Sequence, residues 1–227
     1  MRYSHLALGF TIAAFILALS VVLLIPNSIA QVMDSKNASH KYYFDAEKGV
    51  YMVKAGGGGA RIMVSKYFPT ELEIKVGDTV TWYNPTKVPE PHTVTFIKNP
   101  NNYPELIAPY AISDSSQLTP LPPGSNSEPL VVPSENGGGK VVLAANARVF
   151  YPAVIDSSGK ETTLTPNANY TMDGTEQYVN SGWLLPQGQS KLFPGTSETF
   201  TVKFEKSGTY PYTCIFHPWM TGNVIVK

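Results

Sequence analysis

Alternation of apolar and polar residues is clearest over Glu71–Val76, where Leu72, Ile74 and Val76 interleave with Glu71, Glu73 and Lys75. A period of two places the three apolar side chains on one face of a β-strand. Gly77-Asp78 then predicts a turn into Thr79–Trp82, so a half-buried hairpin is expected, with Trp82 in the core between sheets. Phe200, Val202 and Phe204 share a face in the same way and predict a core strand from Thr199 onward. Val50–Lys54 and Arg61–Ser65 read as strands joined by the flexible, glycine-rich connection Ala55–Ala60. Asn84–Pro91 carries too many prolines to pair as a central strand and reads as a loop leading into the strand His92–Phe96. Gly222–Lys227 closes the chain as a terminal strand.

From Lys98 to about Asn169 the pattern breaks repeatedly at proline- and glycine-rich stretches, with strands expected at Val141–Leu143 and Arg148–Ile155. A segment this long between two regular regions predicts an insertion, over about 99–169, with some sheet of its own.

Composition supports an all-β reading. The 227 residues include 13 tyrosines, 19 prolines and 18 glycines, which favours short strands punctuated by turns, and the length suffices for one domain with its own core, 49–227. Seventeen basic and 17 acidic residues balance to zero net charge without a basic run, so nucleic acid is not an expected partner. Neither Gly56–Gly59 nor Gly137–Gly139 is a phosphate loop, because no Lys-Ser or Lys-Thr follows.

Leu6–Ile25 is an uncharged apolar run preceded by Arg2 and followed by Ser28 and Ala30, small residues spaced as at a signal-peptidase site. Residues 1–30 therefore read as a signal peptide or an N-terminal membrane anchor, with 31–48 as a polar linker. Either fate places the domain outside the cytoplasm, periplasmic or at the cell surface, with 6–25 as a possible tether. Asn37 and Asn169 each begin a glycosylation triplet, a pattern that also arises by chance.

The chemistry concentrates near the C-terminus. Tyr210–Gly222 contains the single cysteine, Cys214, with His217 and Met220 at spacings of three. A thiolate, an imidazole and a thioether, joined by a second imidazole, make the trigonal His2Cys site with weak axial Met that suits copper. Of the four histidines, His5 falls in the apolar N-terminal run and His40 in the polar linker, which leaves His92. Taken singly, a lone cysteine is usually a small buried hydrophobe, and a histidine or methionine is usually ordinary packing. Their conjunction in one motif points to a metal site at His92, Cys214, His217 and Met220. A metal ligand also accounts for one unpaired thiol in an exported chain.

Three segments, Val76–Asn84, Pro91–Val94 and Gly208–Met220, together resemble the cupredoxins, the small blue copper proteins, and occur in that family's order. The Cys-x2-His-x2-Met spacing resembles the short ligand loop of amicyanin-like members, and the likeness covers about residues 50–98 and 175–227. Tyr178–Leu185 resembles the piece that precedes the last strands in that family. The resemblance implies a Greek-key β-sandwich holding one type 1 copper and carrying single electrons between redox protein partners, not an enzyme. It also implies that His217 is the exposed edge through which electrons pass, with Pro218 and Trp219 flanking it. Two positions depart from the family pattern: Thr93 where Asn is common after the first ligand, and Ile215 where Ser or Thr is common after the cysteine. A copper store or chaperone is the alternative, against which the scatter of Met33, Met52, Met63 and Met172 speaks. An electron-transfer subunit of a larger redox complex is also consistent. A catalytic copper enzyme would need more histidines than remain, and zinc would fit a Cys-His-His set without needing the methionine.

Overall fold

The computed structural model describes residues 43–59, 61–107, 110–114, 117–120, 129–133 and 140–227. The candidate site lies in the compact unit Asp45–Lys227. The apolar run Leu6–Ile25, the linker up to residue 42, His5, His40 and the Asn37 triplet fall outside the described residues. Among the described residues no helix is long and apolar enough to cross a membrane.

In chain order the elements are β1 (Phe44–Asp45), β2 (Val50–Gly59), β3 (Ile62–Phe68), β4 (Glu71–Ile74), β5 (Thr79–Tyr83), β6 (Thr95–Ile97), β7 (Tyr110–Asp114), β8 (Gln117–Pro120), β9 (Pro129–Pro133), β10 (Lys140–Asn146), α1 (Ala147–Phe150), β11 (Ala153–Ile155), β12 (Glu161–Thr163), β13 (Asn169–Met172), β14 (Tyr178–Asn180), β15 (Thr199–Phe204), β16 (Gly208–Thr213) and β17 (Thr221–Val226). One sheet runs β1-β2-β5-β15-β13, with β3 also paired to β2, and the other β12-β11-β14-β6-β16-β17-β4. Their inner faces form one apolar core. Phe200, Val202 and Phe204 are fully buried, as their alternation predicts, and burying each side chain contributes about 1.5–3 kcal/mol. Trp82 on the first sheet meets Phe96 and Tyr212 on the second edge to face, at ring-centroid distances of 5.8 and 5.3 Å. It is the core residue between sheets that the pattern suggests. The described residues thus form an all-β sandwich of two sheets, the architecture that the resemblance implies.

The expected hairpin over 71–82 is not one. β4 pairs with β17 in the second sheet, in parallel, whereas β5 pairs with β2 and β15 in the first. Gly77, at φ +91°, turns the chain from one sheet to the other, and its N–H donates to the Phe204 carbonyl at 2.7 Å. Period-two alternation identifies both strands but carries no information about which partner each one finds.

The glycine run is also more regular than expected. Instead of a flexible connection, β2 continues to Gly59 and pairs with β3 from Lys54↔Phe68 to Gly59↔Ile62, with a bulge between Ala55 and Gly57. At Gly56, φ is +89°, a left-handed conformation natural to glycine in a bulge.

Between β6 and β14 the expected insertion divides into two kinds of structure. β7–β8 and β9–β10 form hairpins that pair within themselves. β11 and β12 instead extend the second sheet, and β13 lies parallel to β15 on the first. Arg148–Ile155, expected as a strand, begins as the single turn α1, because Asn146 caps it by accepting from Arg148 N at 3.0 Å. Val149 and Phe150 of that turn are buried, so this part of the insertion belongs to the packed body.

Candidate metal centre

His92 sits three residues before β6 and is held by Leu184 on both sides of its peptide: His92 N donates to Leu184 O at 3.2 Å and Leu184 N to His92 O at 2.7 Å. Cys214, His217 and Met220 come from the loop between β16 and β17. Three bonds close that loop on itself. Met220 N donates to His217 O at 2.7 Å, Cys214 N to Met220 O at 3.0 Å, and the Thr213 hydroxyl to the same carbonyl at 3.3 Å. A register in which Tyr212 faces Gly222 gives the strands below the loop a close fit, since a Cβ on Gly222 would lie 2.5 Å from the Tyr212 ring.

The fold brings three of the four expected donors together. Cys214 Sγ lies 3.6 Å from His217 Nδ1 and 4.0 Å from His92 Nδ1, and the three donors are all within 4.8 Å of one another. Metal bonds of about 2.0–2.3 Å meeting at roughly 110–130° place neighbouring donors about 3.5–4 Å apart. The spacing therefore fits one shared ion better than a set of mutual hydrogen bonds. Met220 is buried at the end of the same loop, and His92 and Cys214 are buried too, with His217 slightly exposed.

Burial raises the Cys214 thiol above its ordinary pKa, against the opposing pull of backbone N–H groups led by that of Thr93. A metal must therefore displace a proton from sulfur. His92 is already neutral near pH 7, because burial, with His217 adding to it, pushes its imidazole down to about 4.

That shift predicts an acid-sensitive metal-free chain. An unfolded histidine titrates near 6.5, so between about pH 6.5 and 4 the unfolded state binds a proton that the folded state refuses. Stability from this group is complete above about pH 6.5, is lost as pH falls towards 4, and changes no further below that. The full loss is about 3 kcal/mol. Urea unfolding of metal-free protein from about pH 7 to about pH 4 measures it, and in His92→Asn this component of the pH dependence disappears.

Thr93 supplies the tie between loops that its departure from the family pattern put in question. Its backbone N donates to Cys214 Sγ at 3.3 Å, and its hydroxyl accepts from Ile215 N at 2.9 Å. Thr93 Oγ1 and Thr95 Oγ1 are 3.0 Å apart, and Thr95 spends its only hydroxyl proton on Asn180 Oδ1 at 2.9 Å. Thr93 is therefore the donor to Thr95, and the bonds run in one direction from Ile215 N to Asn180. Asn180 Nδ2 in turn donates to the Arg148 carbonyl of α1 at 2.9 Å. On the other side, the Tyr67 hydroxyl donates to the Thr93 carbonyl.

Aromatic packing reaches the loop from the same region. Phe150 of α1 packs at a tilt against Trp183, ring centroids 4.8 Å apart, and Trp183 meets Phe216 edge to face at 5.4 Å. Trp219 is 71% exposed while its ring lies edge to face on His217 at 5.4 Å, so it both packs on the loop and presents an apolar surface.

His217, which the family resemblance makes an exposed edge, is partly exposed in the structure. Its Nε2 contacts Glu90 Oε1 at 3.1 Å, and its side chain is 15% exposed. Gly56 is a second neighbour that the sequence did not mark: a Cβ there would lie 2.3 Å from His92 Nε2. Asn84, Thr95 and Asn180 complete the polar surroundings. In the sequence they are ordinary polar residues, and nothing there singles them out.

No protein-family model matches the chain, and neither does any curated protein. Among solved structures it is similar to a purple cupredoxin from Nitrosopumilus maritimus, at 22% identity over 78% of this chain and 98% of that one, with a TM-score of 0.31. Amicyanin from Paracoccus versutus matches at 18% identity, 81% and 84% coverage and a TM-score of 0.28. Plastocyanin from Dryopteris crassirhizoma matches at 14% identity, 78% and 99% coverage and 0.30. TM-scores this low carry no weight by themselves. The chain itself shows a two-sheet β-sandwich with a His-Cys-His cluster at one end.

Proposed function

We propose that the chain is a type 1 copper protein that carries single electrons between redox proteins outside the cytoplasm and catalyses no reaction on a substrate. The observation that carries this reading is the convergence of Cys214 Sγ with both imidazole Nδ1 atoms at one-ion spacing, on a loop pinned to a rigid sandwich. His92, Cys214 and His217 would hold the metal, with the Met220 thioether as a further, weaker donor that would tune the potential. Copper bound there would supply a one-electron couple between Cu(I) and Cu(II).

The chain's own groups suit that use. The bonds across Met220, Thr93 and Leu184 fix the donors before any metal arrives, so little rearrangement accompanies a change of charge. The Thr93 N–H directed at sulfur stabilises a thiolate that burial alone would disfavour. The exposed face of Trp219 beside His217 suits transient docking by an apolar contact. The uncharged run Leu6–Ile25 supports the extracytoplasmic placement.

Copper titration combined with voltammetry of the full chain tests the role. A carrier takes up one copper per chain and gives one reversible one-electron wave. Several weakly bound coppers that are lost on cycling would instead identify a store or chaperone.

A further inference from the structure

Both imidazoles of the cluster turn Nδ1 towards Cys214, so both Nε2 atoms face away from it, and the two meet very different surroundings. His92 Nε2 is buried with no hydrogen-bond partner among the described residues. His217 Nε2 meets a carboxylate, Glu90 Oε1, at 3.1 Å.

Glu90 is set in place by its backbone. It lies between Pro89 and Pro91, which restrict the loop on either side, and its N–H donates to the Val88 carbonyl at 2.7 Å. Its carbonyl accepts from Asn84 Nδ2 at 2.8 Å, and the same amide donates to Leu184 O at 3.0 Å. Asn84 Oδ1 accepts from the N and hydroxyl of Thr86 at 3.0 and 2.7 Å, which fixes the amide's orientation. Leu184 is the residue that brackets His92, so a single buried amide links the Glu90 loop to the first imidazole. The second carboxylate oxygen, Oε2, is buried with no partner among the described residues. The other oxygen, Oε1, is the one that meets His217, so the imidazole supplies a hydrogen-bond donor to this carboxylate.

We propose that Glu90 is a positioning residue for His217. Its carboxylate accepts the Nε2–H, which selects the tautomer with a free Nδ1 lone pair facing Cys214 and stops the ring from turning away. The same anion, one imidazole away from the metal, favours Cu(II) over Cu(I) and lowers the reduction potential. It also covers the polar edge of His217, which leaves Trp219 as the exposed apolar group against that ring. This inference rests on the copper reading given above.

The test compares the full chain with Glu90→Gln and Glu90→Ala. Glutamine retains an oxygen that can accept the Nε2–H but removes the charge, and alanine removes both. Nitrogen-15 NMR of metal-free and Cu(I)-loaded protein is expected to show a protected His217 Nε2–H in the parent and in Glu90→Gln, and to lose it in Glu90→Ala. The midpoint potential should rise in both variants, and copper binding should weaken in Glu90→Ala by about 10- to 100-fold. Equal potentials in the parent and Glu90→Gln, or a Nε2–H unchanged in Glu90→Ala, would overturn the proposal. If the parent binds copper without an intense visible band, the copper reading fails. The metal-free NMR comparison still decides whether Glu90 positions the ring.

Discussion

Cys214→Ala is expected to abolish the intense visible absorption of the copper-loaded chain while leaving the sandwich folded. Absorption of this kind needs a thiolate bound to copper, and Cys214 is the chain's only thiol. Its side chain is fully buried, but the change removes a single sulfur at the end of the core, so the folding cost should be near 1 kcal/mol. Loss of a direct ligand should weaken copper binding by more than the 10- to 100-fold that losing an outer hydrogen bond typically costs. Absorption spectra and copper titrations of parent and variant check both points, with far-ultraviolet circular dichroism to show that the fold persists.

The second large effect is expected at Gly56, which no donor motif touches. A Cβ there would lie 2.3 Å from His92 Nε2 and 2.8 Å from Cδ2, both in a buried ring held by Leu184. The backbone is also left-handed, at φ +89°. Gly56→Ala therefore combines conformational strain of about 1–2 kcal/mol with overpacking of about 1–3 kcal/mol. The ring yields by shifting, which moves Nδ1 away from Cys214 and changes the copper spectrum as well as the stability. Gly59→Ala is the control: it lies on the same strand, has open space at the Cβ position, and should change neither. Urea unfolding midpoints and Cu(II) spectra of the two variants separate the local clash from any general effect of shortening a glycine run.

Such contrasts show where the sequence speaks and where it stops. Cys214, His217 and Met220 are legible because rare donor types recur at short spacing in one loop, and His92 follows because few histidines exist. β15 is legible because Phe200, Val202 and Phe204 alternate cleanly. Pairing is not legible in that way. Alternation over 71–76 marks β4 but cannot reveal that β17, at the far end of the chain, is its partner. The glycines of β2 read as a flexible connection, because the reason for one of them is a ring that arrives 36 positions later. Glu90 is one acidic residue in a proline-rich loop until the fold brings His217 to it. In the insertion, Phe150 and the Arg148 carbonyl gain meaning only from their contacts with Trp183 and Asn180. All of these depend on long-range contacts that local pattern does not encode.

Electron paramagnetic resonance of the full chain loaded with one equivalent of Cu(II), read beside its visible spectrum, decides whether one copper is bound through the Cys214 thiolate and both imidazoles. A narrow copper hyperfine splitting together with an intense visible band, the signature of strong delocalisation onto sulfur, is expected. A wide splitting with only weak visible absorption would contradict it, because the copper would then be held by nitrogen and oxygen donors away from Cys214.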